Sequence, residues 1–365
     1  MSQPTDAAVR EALRQVKYPE VAKDVVTTGM VKEVTITGGD VIVQLQLPTM
    51  VVSADVKETF LREVARAVEK VPGVSTARVS PSVKVASLPP PADKNRLPGV
   101  KNVIAVASGK GGVGKSTVAT NLALALQRWG AKVAMLDADV FGPSIPQMLG
   151  TPQIPAGGTA DKRIAPAVYH NMKVMSVAFF VEKNDAVVFR GPMVHKLLQQ
   201  FMEDVDWGEV DYLVVDLPPG TGDVQLSLSQ LIPITGAVMV TTPQEVAVID
   251  VIKGISMFKK VEIPILGVIE NMSYYVCPAC GHHDEIFSRG GGQKLAAQVS
   301  APFLGEVPLD SRVRFGGDAG MPIVLGVPDS EHARIFMELA ARVASRIVGQ
   351  VLSGPRRSSA LVTIR

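Results

Sequence analysis

The sequence predicts an α/β protein in which a mostly parallel sheet is flanked by helices and preceded by a small α+β domain. Three observations lead to this prediction. From residue 103 onward, short apolar β-branched runs alternate with amphipathic runs of helical length, the pattern of parallel strands joined by crossover helices. A proline-rich segment without periodicity precedes this part. Upstream of it, an alternating hairpin pattern lies next to an amphipathic helix pattern.

Length and composition favour a soluble chain of two domains. The chain has 365 residues, of which 47% are hydrophobic and 20% charged, so a large core can form. A formal net charge of +2 gives no overall attraction to nucleic acid or anionic lipid. There is no secretory leader pattern, no apolar run near the ~20 residues that cross a bilayer, and no disulfide framework. We therefore expect a cytoplasmic protein without nucleic-acid or membrane partners.

The small domain is predicted over residues 1–85. It should contain a helix at 4–17, a hairpin at 33–47 around Gly38-Gly39-Asp40, a helix at 53–71 and a strand at 74–85. Residues 86–100 (ASLPPPADKNRLPGV) are predicted to be a linker, residues 101–352 the main domain, and residues 353–365 a flexible basic tail.

The main domain is predicted to alternate strands and helices along its length. The strands are predicted at 103–107, 132–137, 173–178, 211–216, 236–241, 264–270 and 302–306. The helices are predicted at 116–129, 193–204, 223–231, 244–259, 292–299 and 330–351.

The segment GKGGVGKST is the most specific motif in the chain. It fits the phosphate-loop pattern G-x-x-x-x-G-K-[ST] and lies between a predicted strand and a predicted helix. Its glycines let backbone N–H groups face phosphate, and the helix N-terminus adds positive potential. Lys115 is expected to reach the β- and γ-phosphates of a nucleotide, and Ser116 to hold Mg²⁺. The sequence thus predicts a P-loop NTPase whose nucleotide contacts are Gly109, Lys110, Gly111, Gly112, Val113, Gly114, Lys115, Ser116 and Thr117.

Aspartates follow two further predicted strands. KVAMLDAD ends in Asp137 and Asp139, and DYLVVD ends in Asp216. Ligands bind at the carboxyl edge of parallel sheets, so these side chains should lie beside the glycine loop. Asp216 is expected to hold Mg²⁺, usually through its waters. Asp139 is expected to orient the attacking water, because it opens a loop that could change shape with the γ-phosphate.

Lys110 is unusual, because a phosphate loop needs no second lysine directly after its first glycine. A cation at this position points away from its own loop and could reach phosphates bound to another subunit. A solvated loop lysine is the alternative interpretation.

Cys277 and Cys280, within CPACG, are the two cysteines of the chain. Two thiolates at this spacing converge on one side of a tight turn and can share a metal. A symmetric dimer would combine two such pairs into a four-thiolate site. A zinc site that includes the adjoining His282 and His283, or a structural turn with two reduced thiols, are the alternatives.

The chain resembles the deviant Walker A ATPases, which include septum-site, plasmid-partition, arsenite-pump and nitrogenase iron proteins. The segments that carry this resemblance are GKGGVGKST, LDADVFGPS and VVDLPPGTGD. The resemblance implies that Lys110 crosses a dimer interface to the partner's nucleotide, and that Asn271 reads the adenine of ATP. It identifies Asp139 with the first-switch aspartate and Asp216 with the Walker B aspartate. The catalytic roles then belong to Lys110, Lys115 and Asp139.

Within that family, the chain most resembles the Mrp/ApbC branch of iron–sulfur scaffold and carrier proteins. The segments typical of this branch are NMSYYVCPACG and DADVFGPS. This implies an ATP-hydrolysing homodimer that holds a [4Fe–4S] cluster between its two C-x-x-C pairs and delivers it to apo-proteins, in contact with assembly scaffolds. Residues 1–85 loosely resemble a small domain of iron–sulfur assembly proteins, but lack the cysteine such domains often carry after the hairpin. A docking or structural role is therefore expected for them.

Two other functions are compatible with the deviant Walker A motifs. One is a partition or positioning ATPase acting on DNA or membrane, which the near-neutral charge and the cysteine pair disfavour. The other is ATP-dependent electron transfer through a bridging cluster, as in the nitrogenase iron protein.

Overall fold

The computed structural model describes residues 3–19, 21, 23–88, 97–140, 142–151, 163–180, 191–220, 226–227, 229 and 231–353. They fall into two compact units, one of residues 1–87 and 344–365 and one of residues 88–343. The sequence predicts that the last helix, at 330–351, belongs to the main domain of residues 101–352, whereas residues from 344 onward fall in the first compact unit. Most of the predicted linker, most of the predicted helix at 223–231 and nearly all of the tail lie outside the described residues.

The first unit contains α1 (Asp6–Leu13), β1 (Val31–Thr37), β2 (Asp40–Leu47), α2 (Ala54–Glu69) and β3 (Thr76–Val83). Strands β1 and β2 pair antiparallel and β2 and β3 pair parallel, in the order β1-β2-β3. The predicted hairpin is confirmed, because Thr37 pairs with Asp40 across a two-residue glycine turn. The buried face of α2, with Phe60, Val64 and Val68, shares a core with β2 and with Val348.

The second unit carries the main sheet and its helices. Its strands are β4 (Val100–Ser108), β5 (Val133–Asp137), β6 (Ala167–Tyr169), β7 (Met172–Ser176), β8 (Val210–Asp216), β9 (Gly236–Thr241), β10 (Ile265–Val276), β11 (His283–Asp284) and β12 (Phe303–Leu309). Its helices are α3 (Lys115–Arg128), α4 (Ile145–Met148), α5 (Gly191–Glu203), α6 (Glu245–Lys260), α7 (Gly291–Gln298), α8 (Ser311–Asp318) and α9 (Ile323–Gly326), and α10 (Glu331–Ser353) begins here.

The nine strands found among the described residues follow the order β11-β10-β9-β4-β8-β5-β7-β6, with β12 beside β10. All pairings are parallel except those of β6 and β11, which confirms the predicted fold class. Every residue of β5, β8 and β9 is buried, which explains their uninterrupted apolar sequences. Strand β4 lies between β8 and β9, so the glycine loop that follows it lies at the centre of the carboxyl edge.

Strand β10 is longer than its sequence pattern indicates. The apolar run ends at Glu270, whereas the strand continues to Val276 and then turns back into β11. Its continuous pattern is broken at Met272, whose φ of 56° lies in the left-handed region. Asn271, predicted to follow the strand, therefore lies inside it. None of the described helices combines the length and apolarity required to span a bilayer.

Candidate functional site

The glycine loop between β4 and α3 needs glycine at particular points. Gly112 and Gly114 have φ values of 80° and 78°, which side-chain-bearing residues rarely adopt. A Cβ on Gly109 would collide with the backbone of α6, and one on Gly114 with the amide of Asn271. A Cβ on Gly111 or Gly112 would meet nothing within 4 Å, so this side of the loop is open. The loop therefore leaves room for a phosphate group on this side.

Lys115 lies buried between two of the predicted aspartates. Its Nζ is 2.6 Å from Oδ1 of Asp216 and 3.3 Å from Oδ2 of Asp139. The hydroxyl of Ser116 donates to Oδ2 of Asp216 at 2.6 Å. The structure thus brings together four side chains that are separated in sequence by up to a hundred residues. Their charges interact strongly because all the charged groups are shielded from water.

Ser116 and Asp216 fit a magnesium ion. They present adjacent hydroxyl and carboxylate oxygens, the donor type that Mg²⁺ prefers, at the first turn of α3 and the end of β8. Asp216 is fully buried, and burial raises the pKa of its carboxyl although Lys115 opposes the shift. Because a buried carboxylate is costly unless an opposite charge lies beside it, a bound cation would stabilise the ionised form of Asp216.

Asp137 has a structural role that sequence reasoning missed. Its fully buried carboxyl accepts from the Ser176 hydroxyl at 2.9 Å and from the N–H groups of Ile145 and Asp139 at 3.2 Å. It thereby fixes the segment between β5 and α4 that carries Asp139. Burial and, next, the negative charge of Asp216 raise the pKa of Asp137 to about 8. The sequence placed Asp137 at the sheet edge but could not show these partners.

Stability of the nucleotide-free and magnesium-free protein should fall as pH rises because of Asp137. Its pKa of about 8 lies above the ordinary 3.8, so between these values the folded state holds a proton that the unfolded chain has released. The stabilisation is complete below pH 3.8, the ordinary pKa, and is lost as the pH rises through the folded-state pKa of about 8. We expect this group to lower the free energy of unfolding by roughly 1 kcal/mol per pH unit. The free energy of unfolding, measured by urea denaturation at a series of pH values, should fall less steeply with pH in Asp137→Asn than in the wild type. Equal dependence on pH in the two proteins would contradict this assignment.

Lys110 and Asn271 occupy different surroundings around the loop. Lys110 is partly exposed, and its ammonium group has no ion pair with any residue in the described part of the chain. Asn271 is buried, and its Nδ2 donates to the carbonyl of Val113 at 2.9 Å. Asn271 therefore holds the loop, a contact that the sequence did not predict, while its role toward adenine stays a prediction. Thr117 is partly exposed in the first turn of α3.

Cys277 and Cys280 lie in the turn that joins β10 to β11. The N–H of Cys277 donates to the carbonyl of His282 at 2.9 Å, and its carbonyl accepts from Gly281 at 2.8 Å. Cys280 is exposed and Cys277 partly so. Hydrogen bonds from the N–H groups of Ala279 and Cys280 and from the Cys280 thiol lower the pKa of Cys277. The turn therefore favours the thiolate, which is the form that binds metal.

Neighbouring side chains do not complete a metal site around this turn. Across the described residues, no group of three or more His, Cys, Asp or Glu side chains is placed to hold a metal ion. The ring of His283 instead stacks on Tyr274, with centroids 5.5 Å apart and planes inclined by 17°.

Glu270 is a second buried carboxylate that sequence reasoning missed. It is fully buried on β10, directly before Asn271, and accepts hydrogen bonds from Ser273, Gly290 and Gly292. A signal was available, because the triplet Gly290-Gly291-Gly292 opens a predicted helix, and such N-termini attract anions.

Two family models match the chain. The model described as NUBPL iron-transfer P-loop NTPase matches residues 99–344, which is most of the chain. The model described as iron-sulfur cluster assembly protein matches residues 6–80.

Named relatives match nearly the whole length. A protein of Deinococcus radiodurans named iron-sulfur cluster carrier protein is 46% identical over 348 residues, which cover 95% of this chain and 97% of the relative. A protein of the same name from Escherichia coli strain K12 is 43% identical over 352 residues, covering 95% and 94%.

Solved structures show the same fold. A nucleotide-binding protein from Archaeoglobus fulgidus, in complex with ADP, is 39% identical with a TM-score of 0.56, covering 62% of this chain and 89% of its own. The cell division ATPase MinD of Pyrococcus furiosus is 24% identical with a TM-score of 0.52, covering 66% and 98%, and supports the fold alone. These matches confirm the resemblance seen in the motifs: the chain belongs to the iron-transfer P-loop NTPase family.

Proposed function

We propose that this protein binds an iron–sulfur cluster and transfers it to apo-proteins as an ATP-hydrolysing homodimer. The observation that carries the proposal is the turn of Cys277 and Cys280, which presents two accessible thiols at a surface hairpin and lowers the pKa of one of them. The names of the relatives support the same cargo.

The cluster is the cargo of this site. One chain supplies two thiolates, and the described side chains around them add no third ligand. A [4Fe–4S] cluster takes four cysteine thiolates, so two hairpins related by a twofold axis complete the set. Exposure at a hairpin tip suits a cargo that must be passed on to apo-proteins and received from assembly scaffolds.

A second copy is further supported by the surface beside the glycine loop. Helix α6 packs directly against Gly109, and on the same helix Val246 and Ile249 are 66% and 54% exposed. Exposed apolar side chains next to the loop are available for contact with a second protein surface. Lys110 lies in the adjoining loop, from which its ammonium group reaches the nucleotide of the second copy.

Slow ATP hydrolysis, coupled to cluster carriage, is assigned to the buried lysine site. Lys115 neutralises charge on the β- and γ-phosphates, and Asp139, within 3.3 Å of it, orients the attacking water. Ser116 and Asp216 hold Mg²⁺, which supplies positive charge to the phosphate oxygens when bound. Lys110 of the second copy stabilises the negative charge that spreads over the γ-phosphate. Asn271 contacts the adenine.

A cytoplasmic location without nucleic-acid or membrane partners stays a prediction.

The proposal is tested by the metal content of the full-length protein purified without oxygen. We expect about four iron atoms and about four acid-labile sulfides per dimer, with zinc far below one atom per dimer. Stoichiometric zinc without sulfide would instead show a zinc-binding ATPase, and the cluster proposal would be wrong.

A further inference from the structure

Strand β10 physically connects the phosphate loop to the cysteine turn. At Asn271 it holds the loop through the hydrogen bond to Val113, and after Val276 it ends directly at Cys277. Only five residues, 272–276, therefore separate the residue that contacts the loop from the first thiol. Any rearrangement within this short segment reaches both sites.

The segment contains a bulge. Against β12, Asn271 pairs with Val307 and Tyr275 with Leu309, so four residue steps on β10 match two on its neighbour. Met272 and Ser273 lie within this irregular stretch, which we call the β10 bulge. Bulges of this kind disrupt a ladder locally and change the direction of the strand beyond them.

Met272 gives the bulge a strained backbone next to the phosphate loop. Its φ of 56° lies in the left-handed region, which a residue with a long side chain adopts only when its surroundings impose it. Its Cε lies 3.5 Å from the position that a Cβ on Gly114 would occupy. The bulge therefore packs against the loop at two successive residues, Asn271 and Met272.

Glu270 forms hydrogen bonds both within the bulge and with the N-terminus of α7. Its Oε1 accepts from the Ser273 hydroxyl at 2.6 Å and from the N–H of Gly290 at 2.9 Å, and its Oε2 accepts from the N–H of Gly292 at 2.5 Å. Hydrogen bonds to a buried carboxylate are strong, and a negative charge is favourable at the N-terminus of a helix. A Cβ on Gly292 would lie 3.0 Å from Cβ of Glu270, so glycine permits this close approach.

We propose that Glu270 and Ser273 are positioning residues through which nucleotide in the phosphate loop controls the accessibility of Cys277 and Cys280. This rests on the proposed function, in which those cysteines hold the cargo. A loop rearrangement on nucleotide binding moves Val113, and hence Asn271. Glu270 fixes the start of the bulge, so the displacement passes along β10 toward the cysteine turn. Nucleotide thereby selects between two arrangements of the bulge, as a ligand must if it is to shift a conformation.

The test measures thiol reactivity rather than cluster content. Reduced, cluster-free protein is treated with a maleimide under anaerobic conditions, with and without Mg-ADP, and the rate of cysteine modification is recorded. In the wild type we expect Mg-ADP to change this rate about fivefold or more. In Ser273→Ala and Glu270→Gln the change should fall below about twofold, although Mg-ADP affinity stays within about threefold of wild type.

Ser256→Ala is the matched control. It removes an exposed serine hydroxyl on α6 that, among the described residues, bonds to the carbonyl of Ile252 within the same helix, so the full nucleotide effect should persist. Ser273→Ala is the milder of the two test variants, because it keeps the carboxylate bonds to α7, and a thermal melt verifies its fold.

The inference is overturned if both variants bind Mg-ADP and keep the wild-type difference in thiol reactivity. It is also overturned if Mg-ADP leaves the wild-type rate unchanged. Absence of iron and sulfide from the wild type would instead remove the proposed function, and would leave the nucleotide effect on the thiols measurable.

Discussion

Replacing Cys277 with alanine should abolish stoichiometric cluster binding and leave ATP hydrolysis measurable. The substitution removes one thiolate from each subunit, so a dimer keeps two of the four that a [4Fe–4S] cluster requires. The lost sulfur is also the one whose pKa the turn lowers. After anaerobic reconstitution, iron and acid-labile sulfide should fall from about four of each per dimer to below about one. The glycine loop and its aspartates do not contain the substituted residue, so their chemistry is retained.

His282→Ala is the informative companion variant, since it separates the cluster from a zinc site. The exposed His282 contributes a backbone carbonyl to the turn, which alanine retains. A cluster held by cysteines alone should keep its iron and sulfide in this variant. If Cys277→Ala keeps both, or if His282→Ala loses them together, the four-cysteine assignment is wrong.

The fold of the main domain could be predicted because its strands are buried on both faces. Such strands have continuous apolar sequences, as in β5 and β8, and these are hard to mistake when helix patterns alternate with them. The meeting of Lys115 with Asp139 and Asp216 followed from the same logic, since parallel strands end at a common edge. The contact was predictable from the topology of the sheet, although the local sequence around each residue does not show it.

Features that depend on side-chain partners could not be predicted. The last helix has a clear amphipathic period, but a period does not say which core the apolar face joins, and Val348 packs with the first unit. The β10 bulge was hidden for a related reason. Met272 adopts a conformation that its own residue type disfavours, and the residues on either side of it are linked by a hydrogen bond from Ser273 to Glu270. Local propensity points away from such structures, so only the three-dimensional contacts reveal them.

Lys110→Ala should reduce ATP hydrolysis by at least about 100-fold and leave ATP affinity nearly unchanged. Removing a cation that stabilises charge in the transition state lowers turnover more than binding. The ammonium group has no ion pair among the described residues, so the substitution leaves no buried partner uncompensated. Steady-state phosphate release and equilibrium nucleotide binding measure the two quantities separately. Lys132→Ala, which removes an exposed lysine at the opposite edge of the sheet, should hydrolyse ATP at the wild-type rate.

Mixing variants decides whether Lys110 acts on its own nucleotide or on that of the second copy. Lys110→Ala and Asp139→Ala subunits should each be inactive alone. In the proposed arrangement, the site of the Lys110→Ala subunit in a mixed dimer keeps its own Asp139 and receives Lys110 from the other subunit, so that site is complete. An equal mixture that exchanges freely contains about half mixed dimers with one working site each, and should recover about a quarter of wild-type activity. If Lys110 served its own loop, every site in the mixture would lack one group, and no activity would return.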